Sequence, residues 1–199
     1  MQFDSRVWKL DLDNLWWNAN RVACRDSMLF HFENGGGPAH LTGNKGAGKS
    51  TLTALLAKKL DAHVIRLDGD SIRDMNNDFA SPTILFIDEA QKISQEQRAE
   101  IRKQNPRVLM TSVQDLSEDG YELVCKIEPL NREEVISYVN YHKALDFFDD
   151  EALEELFKAS KGHMRLINIL CRAAIEQPEL IITKEVMQWV AKRKFKLRY

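Results

Sequence analysis

Eight residues constrain this chain more than any others: Gly43-Asn44-Lys45-Gly46-Ala47-Gly48-Lys49-Ser50, in the spacing G-x-x-x-x-G-K-S. Ala39 to Thr42 before them reads as a short strand, and Lys49 to about Leu60 after them as a helix. The glycines therefore fall where a buried strand turns sharply into a helix. Glycine lets the backbone wrap closely enough for successive N–H groups to point at phosphate oxygens, and the following helix N-terminus adds partial positive charge. The pattern predicts a phosphate-binding loop in which Gly43, Asn44, Lys45, Gly46, Ala47, Gly48, Lys49, Ser50 and Thr51 surround the phosphates of ATP. Lys49 would reach the β and γ phosphates, and the Ser50 hydroxyl would bind Mg2+.

Around the loop the sequence alternates between strand and helix signals. Further strands are expected at His63 to Leu67, Thr83 to Ile87, Arg107 to Thr111 and Leu123 to Ile127, with a polar helix at about Gln95 to Lys103. That alternation predicts the α/β class, a mostly parallel sheet with helices on its faces. From Asn131 onward the strand signal stops, and Glu133 to His142, Asp150 to Ala159, Met164 to Ile175 and Lys184 to Lys194 read as helices, with Asn131 and Thr183 as caps. Upstream, Leu12 to Phe32 reads as helical, with Leu15, Trp16, Ala19, Val22, Ala23 and Leu29 as its apolar positions and Gly35-Gly36-Gly37-Pro38 as its end. The expected organisation is an N-terminal helical segment over 1–34, an α/β core over 35–129 and a helical lid with a basic tail over 130–199.

The 199 residues, 44% hydrophobic and 29% charged, suit one core domain with a small appendage and exclude a disordered polyanion or a disulfide scaffold. A formal charge of −2 gives no general attraction to nucleic acid or anionic lipid, so any such contact needs a local patch. No apolar run approaches the roughly 18 residues of a membrane span. With Cys24, Cys125 and Cys171 isolated in apolar contexts, buried thiols in a reducing cytoplasm are the expectation.

A phosphate-binding loop needs a second metal anchor. Thr83 to Ile87 followed by Asp88-Glu89 supplies it, because a buried strand delivers a carboxylate to its C-terminal end, beside the phosphates. Asp88 is the expected Mg2+ ligand. Glu89, one residue on, is placed to orient and deprotonate a water for attack on the γ-phosphate.

Three segments together resemble the AAA+ ATPases of the ExeA type, a group that includes general secretion ATPases and transposition helpers such as the TniB-like proteins. They are Phe32 to Gly43 leading into the loop, Leu85-Phe86-Ile87-Asp88-Glu89-Ala90-Gln91, and Gly162 to Cys171. The resemblance implies a P-loop NTPase fold, a parallel five-stranded sheet with helices on both faces and a small all-helical lid. It implies that Asp88 and Glu89 are the Walker B pair, that Arg165 is the sensor 2 arginine reaching the γ-phosphate, and that Thr111 or Ser112 is the sensor 1 position. Such proteins often carry an arginine that completes a neighbour's site. Here residues 113–120 contain none, so the expectation is a homo-oligomer or a partner protein supplying it, with Arg102, Arg107 and Arg132 as alternative sources.

Other features point elsewhere. Leu67-Asp68-Gly69-Asp70-Ser71-Ile72-Arg73 resembles a segment of adenylylsulfate kinases, in which an aspartate acts on the acceptor hydroxyl. Lys192, Arg193, Lys194, Lys196 and Arg198, interleaved with Phe195 and Tyr199, suit DNA binding or a solvated basic helix end. Trp16-Trp17 suits cover for an adenine ring or ordinary core packing. His31, His40, His63, His142 and His163 have no metal-ligand spacing. The leading expectation is an ATPase that assembles or remodels a nucleoprotein or protein complex. A nucleotide-gated adaptor with weak hydrolysis and a small-molecule kinase are the alternatives.

Overall fold

The strand-forming runs become one parallel sheet in the order β2-β3-β4-β1-β5. Its strands are β1 (Ala39–Gly43), β2 (His63–Arg66), β3 (Leu85–Asp88), β4 (Val108–Ser112) and β5 (Leu123–Ile127). This is a computed structural model, and it describes residues 15–66, 84–177 and 181–196. The kinase-like Leu67–Arg73 segment, Thr83, the residues before Leu15 and Leu197-Arg198-Tyr199 lie outside the described residues. β1, β3 and β4 are buried along their whole length, as parallel strands covered on both faces should be.

Period-two alternation sorts the strand side chains onto two faces. Ala39, Leu41, Phe86 and Leu109 pack with Met28, Phe32, Leu52 and Leu56 of helices α1 (Ala19–Glu33) and α2 (Lys49–Leu60). Leu85, Ile87, Val108 and Met110 pack on the other face with Ile93, Leu116 and Ile101 of α3 (Gln95–Gln104). At roughly 1.5–3 kcal/mol per fully buried large apolar side chain, these two faces hold the sheet. α3 is an exception, since Ile101 is its one apolar side chain buried there. A Ser94–Gln97 capping box and the Arg98–Asp119 ion pair at 2.5 Å fix it instead.

α1 is shorter than the sequence suggests and turns a different face inward. Asn18 caps it, its side chain accepting from Arg21 N at 3.0 Å. The buried positions are Arg21, Cys24, Met28 and Phe32, not Ala19, Val22, Ala23 and Leu29. Cys24 and Cys125, isolated in sequence, are neighbours in space as free thiols, and Cys24 Sγ donates to the Lys126 carbonyl at 3.6 Å.

The chain forms two compact units. One runs from Trp17 to Glu128 and includes α1 together with the sheet. The other joins the chain up to Trp16 with the chain from Pro129 onward and contains α4 (Arg132–Tyr141), α5 (Asp150–Ser160), α6 (Met164–Ile175) and α7 (Lys184–Lys196). Its core joins Val135, Val139, Leu156, Ile167, Leu170 and Met187. Thr183, expected as the α7 cap, donates its hydroxyl to Glu185 at 2.8 Å, while its carbonyl starts the helix by accepting from Met187 N. The adjacent tryptophans divide between the units: Trp17 packs on the α1–α2 face of the sheet, and Trp16 on Tyr138 of α4.

Within the helical unit, Gly162 approaches the chain before α4. Its φ is +71°, its carbonyl accepts from Leu130 N at 2.9 Å, and an added Cβ would lie 1.9 Å from the Leu130 carbonyl oxygen. Gly162→Ala combines that overlap with a left-handed backbone costing about 1–2 kcal/mol for any other residue. The thermal unfolding midpoint should fall by at least about 5 °C. An unchanged midpoint by circular dichroism would contradict this account of the turn.

Candidate nucleotide-binding site

The sheet order puts β4 between β1 and β3, so the C-terminal ends of all three strands meet at one edge. From that edge Gly43 leads out of β1 into a turn closed by Ala47 N on Asn44 O at 3.0 Å. Gly48 caps α2 at φ +103°, a left-handed conformation that glycine adopts without penalty. No side chain caps this helix. Its first N–H groups are thus left for an anion. Lys49, 6% exposed, donates through Nζ to Gly43 O at 2.7 Å and Asn44 O at 3.1 Å. Burial pushes its ammonium below the ordinary lysine value, while the Glu89 and Asp88 carboxylates act in the opposite direction. Arg21, which no sequence motif marks, braces the loop from α1 through its guanidinium on Ala47 O at 3.0 Å.

At the end of β3 the Asp88 carboxylate is 4% exposed. A buried carboxylate needs donors, and two hydroxyls supply them. Ser50 Oγ of the loop donates to Oδ2 at 2.7 Å, and Thr111 Oγ1 of β4 donates to Oδ1. Glu89 follows in a left-handed conformation, φ +67°, opening the 3-10 turn Ala90–Lys92. Its Oε2 accepts from Gln91 Nε2 at 2.7 Å. Ser50 and Asp88 place a hydroxyl and a carboxylate oxygen side by side, the hard donors that Mg2+ takes alongside substrate phosphates. Among the described residues no cluster of three or more His, Cys, Asp or Glu could hold a metal, so a cation here would depend on phosphate oxygens for its remaining ligands.

Thr111 and Ser112 diverge. Thr111 contacts Asp88, whereas Ser112 Oγ lies 2.8 Å from His40 Nε2 and donates to the Gln114 carbonyl, which also accepts from Thr42 Oγ1 at 3.2 Å. With the Ser112 proton used in that way, His40 Nε2–H is the donor and Nδ1 is the bare, buried nitrogen without a partner. His40 also stacks on Tyr121 at 5.0 Å. The arginine-free segment 113–120 is held by arginines of α3, with Arg98 and, at 3.6 Å, Arg102 on Asp119. Burial works against the Asp119 carboxylate, but these guanidiniums outweigh it and keep its carboxyl below the ordinary range.

The candidate substitute arginines all have partners within the chain. Arg102 covers the Tyr121 ring at 5.0 Å, Arg107 donates to the Phe32 carbonyl, and Arg132 pairs with Glu154 at 2.7 Å. Arg165 is exposed in the first turn of α6, in the helical unit. On α7, Lys192 and Arg193 are exposed, and Arg193 covers Trp189 at 5.1 Å. Thr51 occupies the first turn of α2 and is half-buried.

Residues 30–188 match the family model described as ABC transporter. The chain belongs to that family of P-loop nucleotide-binding domains. No curated protein matches the chain. Among solved structures it is similar to the Thermotoga maritima RuvB Holliday junction branch migration motor, at 17% identity and a TM-score of 0.67 over 96% of this chain and 73% of that one. It is also similar to a chain of the Drosophila ORC bound to DNA, at 14% identity and a TM-score of 0.65 over 88% of this chain and 61% of that one. At such identities the likeness is one of fold alone, a P-loop fold built on a parallel sheet. Transport, branch migration and DNA binding belong to those descriptions. The P-loop core is what this chain shares with the family model. Among the described residues no helix is long and apolar enough to cross a membrane.

His40 makes this core sensitive to acid. Burial pushes its pKa from 6.5 down to about 4, against the opposing pull of Asp115 and Asp119. The unfolded chain therefore takes up this proton before the folded one, and stability should fall as pH drops from about 6.5 to about 4, by at most about 1.4 kcal/mol per pH unit. His40→Gln keeps a donor for Ser112 and does not titrate, so its urea midpoint should vary less with pH across that window. Parallel wild-type and variant curves would contradict the assignment.

Proposed function

We propose that this chain is an AAA+ ATPase that binds ATP with Mg2+ and couples binding and hydrolysis to the assembly or remodelling of a nucleoprotein or protein complex. One observation carries the reading: Asp88 is bound at once by Ser50 of the phosphate-binding loop and Thr111 of β4, with Glu89 adjacent. A loop that only cradled an anion would not need a carboxylate at its serine. Ser50 and Asp88 would hold Mg2+, which would neutralise charge on the β and γ phosphates. In this reading the N–H groups of residues 43–51 and Lys49 bind the phosphates. Thr111 fixes the orientation of Asp88, and Glu89 takes the proton of the attacking water.

Arg165 is proposed as the lid residue that senses the γ-phosphate. A homo-oligomer or a partner protein would supply the missing arginine; because a second copy would carry the same committed Arg102, Arg107 and Arg132, those commitments support the partner protein. Nucleic acid is the proposed client. The basic series Lys192, Arg193, Lys194, Lys196 and Arg198 supports it, as does the ExeA-type resemblance. The Holliday junction in the description of the RuvB structure and the DNA in that of the ORC structure point the same way. The free thiols support a cytoplasmic setting.

Lys49→Ala should abolish ATP binding, whereas Glu89→Gln should bind ATP and release phosphate at least about 100-fold more slowly than wild type. Phosphate release by the Glu89→Gln variant at the wild-type rate would remove Glu89 from the chemistry. An ATP-binding wild type that releases no phosphate, with or without duplex DNA, would favour the nucleotide-gated adaptor. Deleting residues 192–199 should weaken DNA binding and reduce its salt dependence if the tail neutralises phosphates. Unchanged affinity across a salt series would make the tail a solvated helix end.

A further inference from the structure

Resting on the hydrolysis reading above, we infer that Gln91 is a positioning residue for Glu89, bracing its carboxylate against the end of β4. A glutamate side chain left to itself samples several staggered rotamers. A general base must instead present one lone pair to one water. Glu89 leaves the sheet on a left-handed backbone. Its carbonyl accepts from Lys92 N at 2.9 Å, and Ala90 beside it is fully buried. The backbone of the turn is thereby fixed, but its side chain is not.

Gln91 completes the restraint with both ends of its amide. Nε2 donates to Glu89 Oε2 at 2.7 Å, and Oε1 accepts from Val113 N at 3.4 Å, the longer of the two contacts. Val113 is the first residue beyond β4, and Thr111, two residues earlier, donates to Asp88. β4 therefore reaches both consecutive carboxylates, Asp88 through a hydroxyl and Glu89 through the Gln91 amide. The two are set in one coordinate frame, so the base keeps its register with the residue beside the metal site. Because Gln91 is neutral and engages only Oε2, Glu89 Oε1 is the atom left to take the proton. A displacement of the exposed Val113 would be transmitted to the base through a single side chain.

Gln91→Met keeps the length of the side chain and removes its amide. In the full chain with ATP and Mg2+, kcat for phosphate release should fall about tenfold with the KM for ATP unchanged, the pattern of an interaction that acts in the transition state. In a Glu89→Gln background the same substitution should cause no further loss of the residual single-turnover rate, because Gln91 would act only through Glu89. The Val113 amide resonance should also move in the Gln91→Met variant without nucleotide.

A wild-type kcat, a rise in KM at unchanged kcat, or the same fold-loss repeated in the Glu89→Gln background would each overturn the inference. An unmoved Val113 resonance would overturn the brace itself. A wild-type protein that binds ATP but never releases phosphate would overturn the hydrolysis reading instead. That failure is distinguishable, because the Val113 resonance reports the brace without turnover.

Discussion

A carboxylate as buried as Asp88 is tolerated only where donors surround it, and its two donors come from separate elements. Ser50 lies in the first turn of α2, Thr111 is the penultimate residue of β4, and Asp88 itself ends β3. Meeting that requirement fixes how the sheet must be ordered at this edge, with β4 beside both β1 and β3. It also fixes the side of the sheet that α2 must cover, since the helix has to start where Ser50 can reach Asp88. The apolar faces supply the free energy. The hydrogen bonds around Asp88 help select which arrangement that energy stabilises.

Lys49 shows the same economy. A buried ammonium close to two carboxylates is kept in place by the Gly43 and Asn44 carbonyls, so the loop holds its own cation. The loop is in turn braced from α1 by Arg21. Around it Thr111 binds Asp88, a separate set joins Ser112, His40, Gln114 and Thr42, and a third joins Glu89, Gln91 and Val113. The nucleotide edge is thus a set of hydrogen-bonded strand ends in which few polar groups act alone.

What could be read from the sequence was local. The glycine spacing of residues 43–50, the strand running into Asp88-Glu89 and the α/β alternation are all written in contiguous residues, and each appears in the structure at or near its expected bounds. What could not be read depends on distant partners. Arg21 supports a loop 26 positions away, and His40 lies 72 positions from Ser112. Hydrophobicity marks Val22, Ala23 and Leu29 on α1, whereas the structure buries Met28, Phe32 and an arginine instead. α3 carries almost no apolar signal because capping and an ion pair do the work that burial does elsewhere. Gln91 stood in plain view beside the acidic pair, but its partner Val113 is visible only once β3 and β4 are neighbours.

The most direct test of the central claim is calorimetric titration of the wild-type chain with ATP, once with Mg2+ and once with a chelator. One ATP bound per chain, with affinity that falls when Mg2+ is removed, is the result expected of a loop whose serine lies against a buried carboxylate. No binding, or binding indifferent to Mg2+, would contradict the assignment of Ser50 and Asp88 as the metal side of a nucleotide site.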